Sequence, residues 1–178
     1  MKSIITSHFV AVFPIYLKNG EFTTTLVLYK NRYKTREPLE YRLIGGTSEG
    51  DELPWQTAVR EMRQEAGLIA QDASIHGFLQ VGEPEEHLNE TEEGLHLKYC
   101  FVCIDPIHES TEQIHEVDVE GTLDVSIERV IAHIAREFPL PGAHSIRNRF
   151  HRKSIRASVQ GISAGLPKLA EISAKYGW

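Results

Sequence analysis

Glu61 and Glu65 stand four residues apart in the run Arg60-Glu61-Met62-Arg63-Gln64-Glu65, with Gln64 between them. On a helix, positions i, i+3 and i+4 share one face, so two carboxylates and an amide are aimed together within a single turn. Like charges at that spacing destabilise an isolated helix by about 0.2–0.5 kcal/mol. The pair therefore needs a cation, and the choices are Arg60 or Arg63 beside it, or a hard divalent ion such as Mg²⁺, which prefers oxygen ligands. A carboxylate-held divalent ion can screen phosphate charge and activate a water molecule. Glutamates at this spacing are also common on solvated helix faces, so the pair alone is a weak sign of chemistry.

The surrounding run is far more specific. Gly46 is followed after five residues by Glu52, after seven more by Arg60-Glu61, and then by Met62, Gln64, Glu65, Gly67 and Leu68. This run resembles the Nudix box, G-x5-E-x7-R-E-U-x-E-E-x-G-U with U an aliphatic residue. Every fixed position agrees except one, where Gln64 stands for the first Glu of a pair. The resemblance implies metal-dependent hydrolysis of a nucleoside diphosphate linked to another moiety, with water attacking phosphorus. It implies Mg²⁺ or Mn²⁺ as cofactor and a small nucleotide-derived substrate as partner.

Carried over position by position, the resemblance implies catalytic roles for Arg60, Glu61 and Glu65 and a metal shell drawn from Glu61, Gln64, Glu65 and the backbone carbonyl of Gly46, with Gly45 beside it. Arg60 would orient Glu61 through a charge-assisted hydrogen bond. One of the box glutamates would help deprotonate the water, and Glu52 would hold loop and helix together. Gln64 offers an oxygen without a charge, which weakens affinity for a second or third metal ion. A catalytically weakened nucleotide-binding or regulatory module is the alternative reading. A further carboxylate from a late loop is common in the family, and Glu109, Glu112 and Glu116 lie in the matching part of the chain with no motif to choose among them.

The elements that must position these groups are legible as periodicity and punctuation. Asn19-Gly20 joins two strand-like runs, 7–17 and 22–29, into a hairpin. A polar loop leads to a short strand, Tyr41 to Ile44, that ends at Gly45-Gly46. The helix is expected over Pro54 to Ala66, with Pro at its first position, Gly67 just past its end, and Trp55, Val59, Met62 and Ala66 as the strip that packs on a sheet. Strands follow at 75–81 and 96–104, separated by a glutamate-rich loop at 82–94 that reads as a solvated rim. A weak strand near 117–119, a helix at 126–137, and helical stretches near 144–160 and 166–176 complete the pattern. The expected class is α+β, a mixed sheet flanked by helices. The resemblance implies a Nudix α/β/α sandwich, here a hydrolase domain over 1–140 with a helical C-terminal extension, 141–178, packed on it.

At 178 residues with 41% hydrophobic and 25% charged side chains, the chain has the size and composition of one globular domain, which excludes a disordered or fibrous protein. A formal net charge of −6 argues against a dedicated nucleic-acid binder. Cys100 and Cys103 fall on opposite faces of one strand, which disfavours a disulfide and half a zinc site and suits a reducing, cytoplasmic setting. No apolar window is long enough for a membrane helix. His87, His96, His108 and His115 lack a metal-ligand spacing, and Tyr29, Tyr33 and Tyr41 read equally as base-stacking or strand-packing groups. Arg147, Arg149, Arg152, Lys153 and Arg156 interleave with Ile146, Phe150 and Ile155 as an amphipathic helix, packed beside the domain or serving a homodimer contact rather than gripping RNA.

Overall fold

A computed structural model describes residues 5–31, 37–89, 94–109, 118–136 and 138–178. The first strand, β1 (Ile5–Lys18), is apolar on both sides. Val10 and Val12 face one core while Ala11, Phe13 and Ile15 face another, so helices must cover the sheet twice. Asn19 and Gly20 both take positive φ, at 54° and 79°, and turn the chain into β2 (Glu21–Tyr29), which pairs antiparallel with the end of β1.

The next segment changes partner partway along. Its first part, β3 (Glu40–Arg42), pairs with β2, and its second, β4 (Ile44–Thr47), pairs with β1. Gly45 and Gly46 thus lie inside a strand rather than ending one, because β4 runs so close to β1 that a Cβ on Gly45 would sit 2.1 Å from the Val10 carbonyl oxygen. The helix α1 (Pro54–Ala66) occupies its expected range and stops at Gly67, whose φ of 61° is the left-handed cap.

Beyond α1, β5 (Leu68–Ile69) pairs with a later two-residue strand. The strand expected at 75–81 is instead a 3₁₀ turn followed by β6 (Leu79–Gln80). The acidic stretch is not simply a loop: β7 (Glu85–Asn89) pairs with β8 (Gly94–Ile104), and Glu85 stands opposite Lys98. After β9 (Ile107–His108), the partner of β5, comes β10 (Val119–Ser126), a full strand along β2 where only a weak one at 117–119 was expected. The chain ends in α2 (Ile127–Arg136), α3 (Arg149–Ser163) and α4 (Pro167–Lys175). α3 begins later than 144 because Asn148 caps it, accepting from the amides of Phe150 and His151.

The sheet runs β10-β2-β1-β8-β6, with β3, β4 and β7 attached at its sides, and it is mixed because β1 and β8 are parallel. One face packs α1 through Ala58 and Met62. The other packs the three later helices, and Ile155, Val159, Ile162 and Leu169 share a core with Phe13 and Leu26. The fold is the expected α+β sandwich with helices on both faces. Among the described residues no helix is long and apolar enough to cross a membrane.

Ile155→Ala removes a fully buried side chain from this shared core and is expected to lower stability by about 2–5 kcal/mol. Urea denaturation followed by circular dichroism and by tryptophan fluorescence should shift as one transition, whereas an unchanged midpoint would place α3 outside the core.

Candidate active site

The helix α1 faces the sheet with Ala58 and Met62, both fully buried among Val10, Val12, Ile44 and Leu68, while Trp55, Val59 and Ala66 pack at the margin. Its orientation is fixed at both ends. The Gln56 side chain accepts from the Leu53 amide at 2.8 Å, and Gly67 closes the last turn through the Arg63 carbonyl. With the axis set, Glu61 and Glu65 are carried under β4. They are 5% and 7% exposed, which removes the ordinary solvated-face reading of the pair.

The glycines of β4 make this burial sterically feasible. A Cβ on Gly46 would fall 2.1 Å from Glu61 Oε1, so the carboxylate occupies the space a side chain would need. The amide of Gly45 donates to Glu65 Oε2 at 2.8 Å. Thus one carboxylate is seated against backbone and the other is held by it.

Arg60 ties the surroundings together. Its Nε and Nη2 donate to the two oxygens of Glu52 at 2.8 and 3.0 Å, Nη2 also donates to the Thr47 carbonyl at 2.8 Å, and Nη1 donates to Glu61 Oε1 at 2.7 Å. This fork geometry is one that Lys cannot reproduce. The Thr57 hydroxyl donates to Glu52 at 2.9 Å and lies 2.9 Å from His8 Nε2. Bonded to Arg60, the Glu52 carboxyl is held down to about 2, and Arg60 in turn is pushed above the usual guanidinium range. Burial lowers His8, which favours its neutral form.

The carboxylates open onto a cavity of about 360 Å³. Gly45, Gly46, Arg60, Glu61 and Glu65 line one part of it, and Phe9, Tyr29, Arg42, Asp118 and His151 line another. The Arg42 guanidinium lies 3.8 Å from the Tyr29 ring centroid and pairs with the Glu40 carboxylate, which fixes it on the wall opposite Glu61 and Glu65. His151 is 3% exposed and pushed down to about 3, first by burial and then by the charges of Arg42 and Lys98. It stands as a neutral imidazole.

A hard divalent cation fits this donor set, since two buried carboxylates on one turn face backbone with no side chain between them. Among the described residues no three His, Cys, Asp or Glu side chains gather as a metal cluster. Among the described residues, Glu61 and Glu65 are the buried carboxylates placed to serve as side-chain donors.

The other residues singled out from sequence are dispersed. Gln64 is exposed and outside the cavity lining, and its Oε1 accepts from Arg60 at 3.0 Å. Glu109 pairs with Arg63 at 3.1 and 3.2 Å, also away from the lining. Glu112, Glu116, His115 and Tyr33 lie outside the described residues. Tyr41 is buried and donates to the Pro141 carbonyl, a packing role, whereas Tyr29 does line the cavity. His96 bonds Ser7, and His108 packs edge-on against Tyr16. Both cysteines are free and buried, Cys103 facing the α1 side and Cys100 reaching Ser158 on α3.

Sequence reading missed Arg42, Asp118 and His151. Recognising β10 would have found Asp118, because Val119 pairs with Tyr29 and brings its neighbour to the cavity.

Comparison with known proteins adds a family and a fold. The NUDIX domain family model matches residues 8–138. The NUDIX domain of Shewanella oneidensis NrtR, solved with ADP ribose, superposes with a TM-score of 0.60 at 15% identity, covering 91% of this chain and 90% of that one. A NUDIX hydrolase from Nitrosomonas europaea gives 0.57 at 16% identity, with 87% and 89% covered. A protein described as an ADP compounds hydrolase gives 0.62 at 13% identity, with 92% and 76% covered. No curated protein matches the chain in sequence.

The depressed Glu52 carboxyl has a consequence for stability. The group binds its proton near 4.5 when unfolded and near 2 when folded, so its contribution is complete above about 4.5 and is lost as pH falls towards 2. Glu52→Gln is expected to be less stable at pH 7, with the gap to the parent closing from about pH 5 downward. Urea midpoints at stepped pH check this, and parallel curves would remove Glu52 from the coupling.

Proposed function

The chain belongs to the Nudix family, and from that premise we propose that it is a divalent-metal-dependent pyrophosphohydrolase cleaving the diphosphate linkage of a nucleoside diphosphate derivative. One observation carries the reading: Glu61 and Glu65 are buried on a single helical turn against the glycines of β4, at the floor of a cavity. Buried like charges at that spacing demand a cation, and one guanidinium already serves Glu61. Mg²⁺ or Mn²⁺ would be held by Glu61 and Glu65 beside the Gly46 backbone. When bound, such an ion screens the diphosphate and lowers the pKa of a water molecule.

The chain's own groups do the positioning. Arg60 holds Glu61 in one rotamer, and the Gly45 amide holds Glu65. Buried Glu61 or Glu65 is placed to take the proton of an attacking water. Arg42 presents positive charge to the phosphate lying farther from the carboxylates, and Phe9, Tyr29 and neutral His151 give the remaining wall apolar and aromatic surface. Gln64, bonded to Arg60, acts here as a positioning group and leaves ligation to the glutamates. Residues 1–140 form the hydrolase domain, and 141–178 the helical extension that closes its core. The two buried free thiols suit a reducing, cytoplasmic setting.

One observation favours a second reading, a module that binds nucleotide without turnover: the neutral Gln64 subtracts a charge from the site. The experiment separates the two. ADP-ribose-like compounds head the substrate panel because one structural neighbour holds ADP ribose and another is described as acting on ADP compounds. Nucleoside triphosphates, dinucleoside polyphosphates and nucleotide sugars complete it, each with Mg²⁺, Mn²⁺ or chelator. Metal-dependent cleavage is expected for one class, and Glu65→Gln should lower its turnover by about a hundredfold or more at unchanged melting temperature. Binding with no cleavage across the panel would give the site to the second reading.

A further inference from the structure

The α3 helix presents two faces. His151, Ser154, Ile155, Ser158, Val159 and Ile162 are buried against the sheet. On the opposite side Arg149, Arg152, Lys153 and Arg156 follow one another at three- and four-residue steps, so their like charges are neighbours on the helix surface. The charges also gather towards the helix N-terminus. The first turn of α3 holds no acidic residue and its last turn no basic one, the reverse of what the helix dipole favours. Lys153 pairs with Glu85, whereas the charges of Arg149 and Arg156 and their unfavourable place on the helix dipole are relieved by a bound anion.

This face is one wall of an open basin of about 770 Å³, within the size range of small-molecule sites. Arg147 extends the cationic wall, and among the described residues no acidic one lines the basin. Arg149 and Arg156 have no carboxylate partner among the described residues. Arg152 is braced by the Ile134 carbonyl at 3.1 Å, which aligns its guanidinium along the rim. Tyr176 and Trp178 form the facing wall, and the Arg156 guanidinium lies 5.5 Å from the Trp178 ring centroid. The basin shares no lining residue with the carboxylate cavity.

We propose that this basin is a second, metal-independent binding site for a nucleoside polyphosphate, with phosphates between Arg149 and Arg156 and the base against Trp178. Several phosphates are required because Arg149 and Arg156 stand about two helical turns apart, a span of about 10 Å that one phosphate cannot bridge. The aromatic wall adds a flat apolar surface that inorganic phosphate cannot use. A long nucleic acid is disfavoured by the net charge of −6, which repels phosphates reaching past the basin.

Chelator isolates this site, since without a cation the Glu61–Glu65 cavity repels phosphate. The full chain in EDTA is titrated calorimetrically and by tryptophan fluorescence with ATP, inorganic tripolyphosphate and a short single-stranded RNA oligonucleotide. ATP is expected to bind more tightly than tripolyphosphate, with a fluorescence change that Trp178→Phe abolishes although Trp55 remains. The exposed double variant Arg149→Glu, Arg156→Glu should weaken ATP binding by about tenfold or more, while Glu65→Gln leaves it unchanged. Equal ATP affinity in the double variant, or binding of RNA alone, would overturn the proposal; equal affinity for tripolyphosphate and ATP would overturn its nucleoside assignment.

Discussion

Burying two carboxylates on one turn of helix is the constraint to which the rest of the structure answers. At the roughly 5–6 Å that separates such neighbours, two full charges repel by about 3 kcal/mol at an effective dielectric constant of about 20, and each also loses solvation. Arg60 offsets part of this at Glu61, and the Gly45 amide offsets part at Glu65. Arg60 could not hold its position alone, however. Both oxygens of Glu52 and the Thr47 carbonyl fix its plane, and Thr57 fixes Glu52 in turn. The polar network around the pair is therefore a support for its geometry, and few of its members need to touch a substrate.

The sheet meets the same constraint by different means. A helix carrying charged groups towards a sheet needs a place where the sheet has no side chains, and β4 supplies it with Gly45 and Gly46. That strand exists because the segment from Glu40 to Thr47 leaves β2 at Leu43 and joins β1. The crossing parts the strands where the cavity lies, with Val27 and Arg42 on the β2 side and Phe9, Gly45 and Gly46 on the β1 side. A strand that kept one partner throughout would close this opening. The glycines, the change of partner and the cavity are thus aspects of one structural solution.

The same account explains what could be read from sequence. The range of α1 and the shared face of Glu61 and Glu65 are local properties, set by Pro54, Gly67 and the 3.6-residue period, and they were legible; of the strip expected to pack on the sheet only Met62 is fully buried, with Ala58 taking the place of Trp55, Val59 and Ala66, which lie at the margin. The opposite facing of Cys100 and Cys103 follows just as locally from strand alternation. β7 and β10 were not legible as strands because their character comes from partners. Glu85 and Glu86 look like loop residues until β8 places Lys98 opposite, and the alternately exposed β10 shows little until β2 lies beside it. Arg42, Asp118 and His151 share no local pattern with the glutamates. They reach the cavity through strand pairing and the packing of α3, information that a single sequence holds only in distributed form.

Gln64 marks where sequence pattern and geometry have to be weighed together. By pattern it is a metal ligand without a charge; by geometry its amide oxygen rests on Arg60, outside the cavity. Arg60 already meets Glu52 and Glu61 and lies 3.5 Å from Glu49, so a fourth carboxylate at this position would draw the guanidinium outward, away from Glu61. A neutral amide accepts the same hydrogen bond without that pull. Gln64 thus adds no charge to this network, while the positions of Glu61 and Glu65 depend on Arg60 and the glycines of β4.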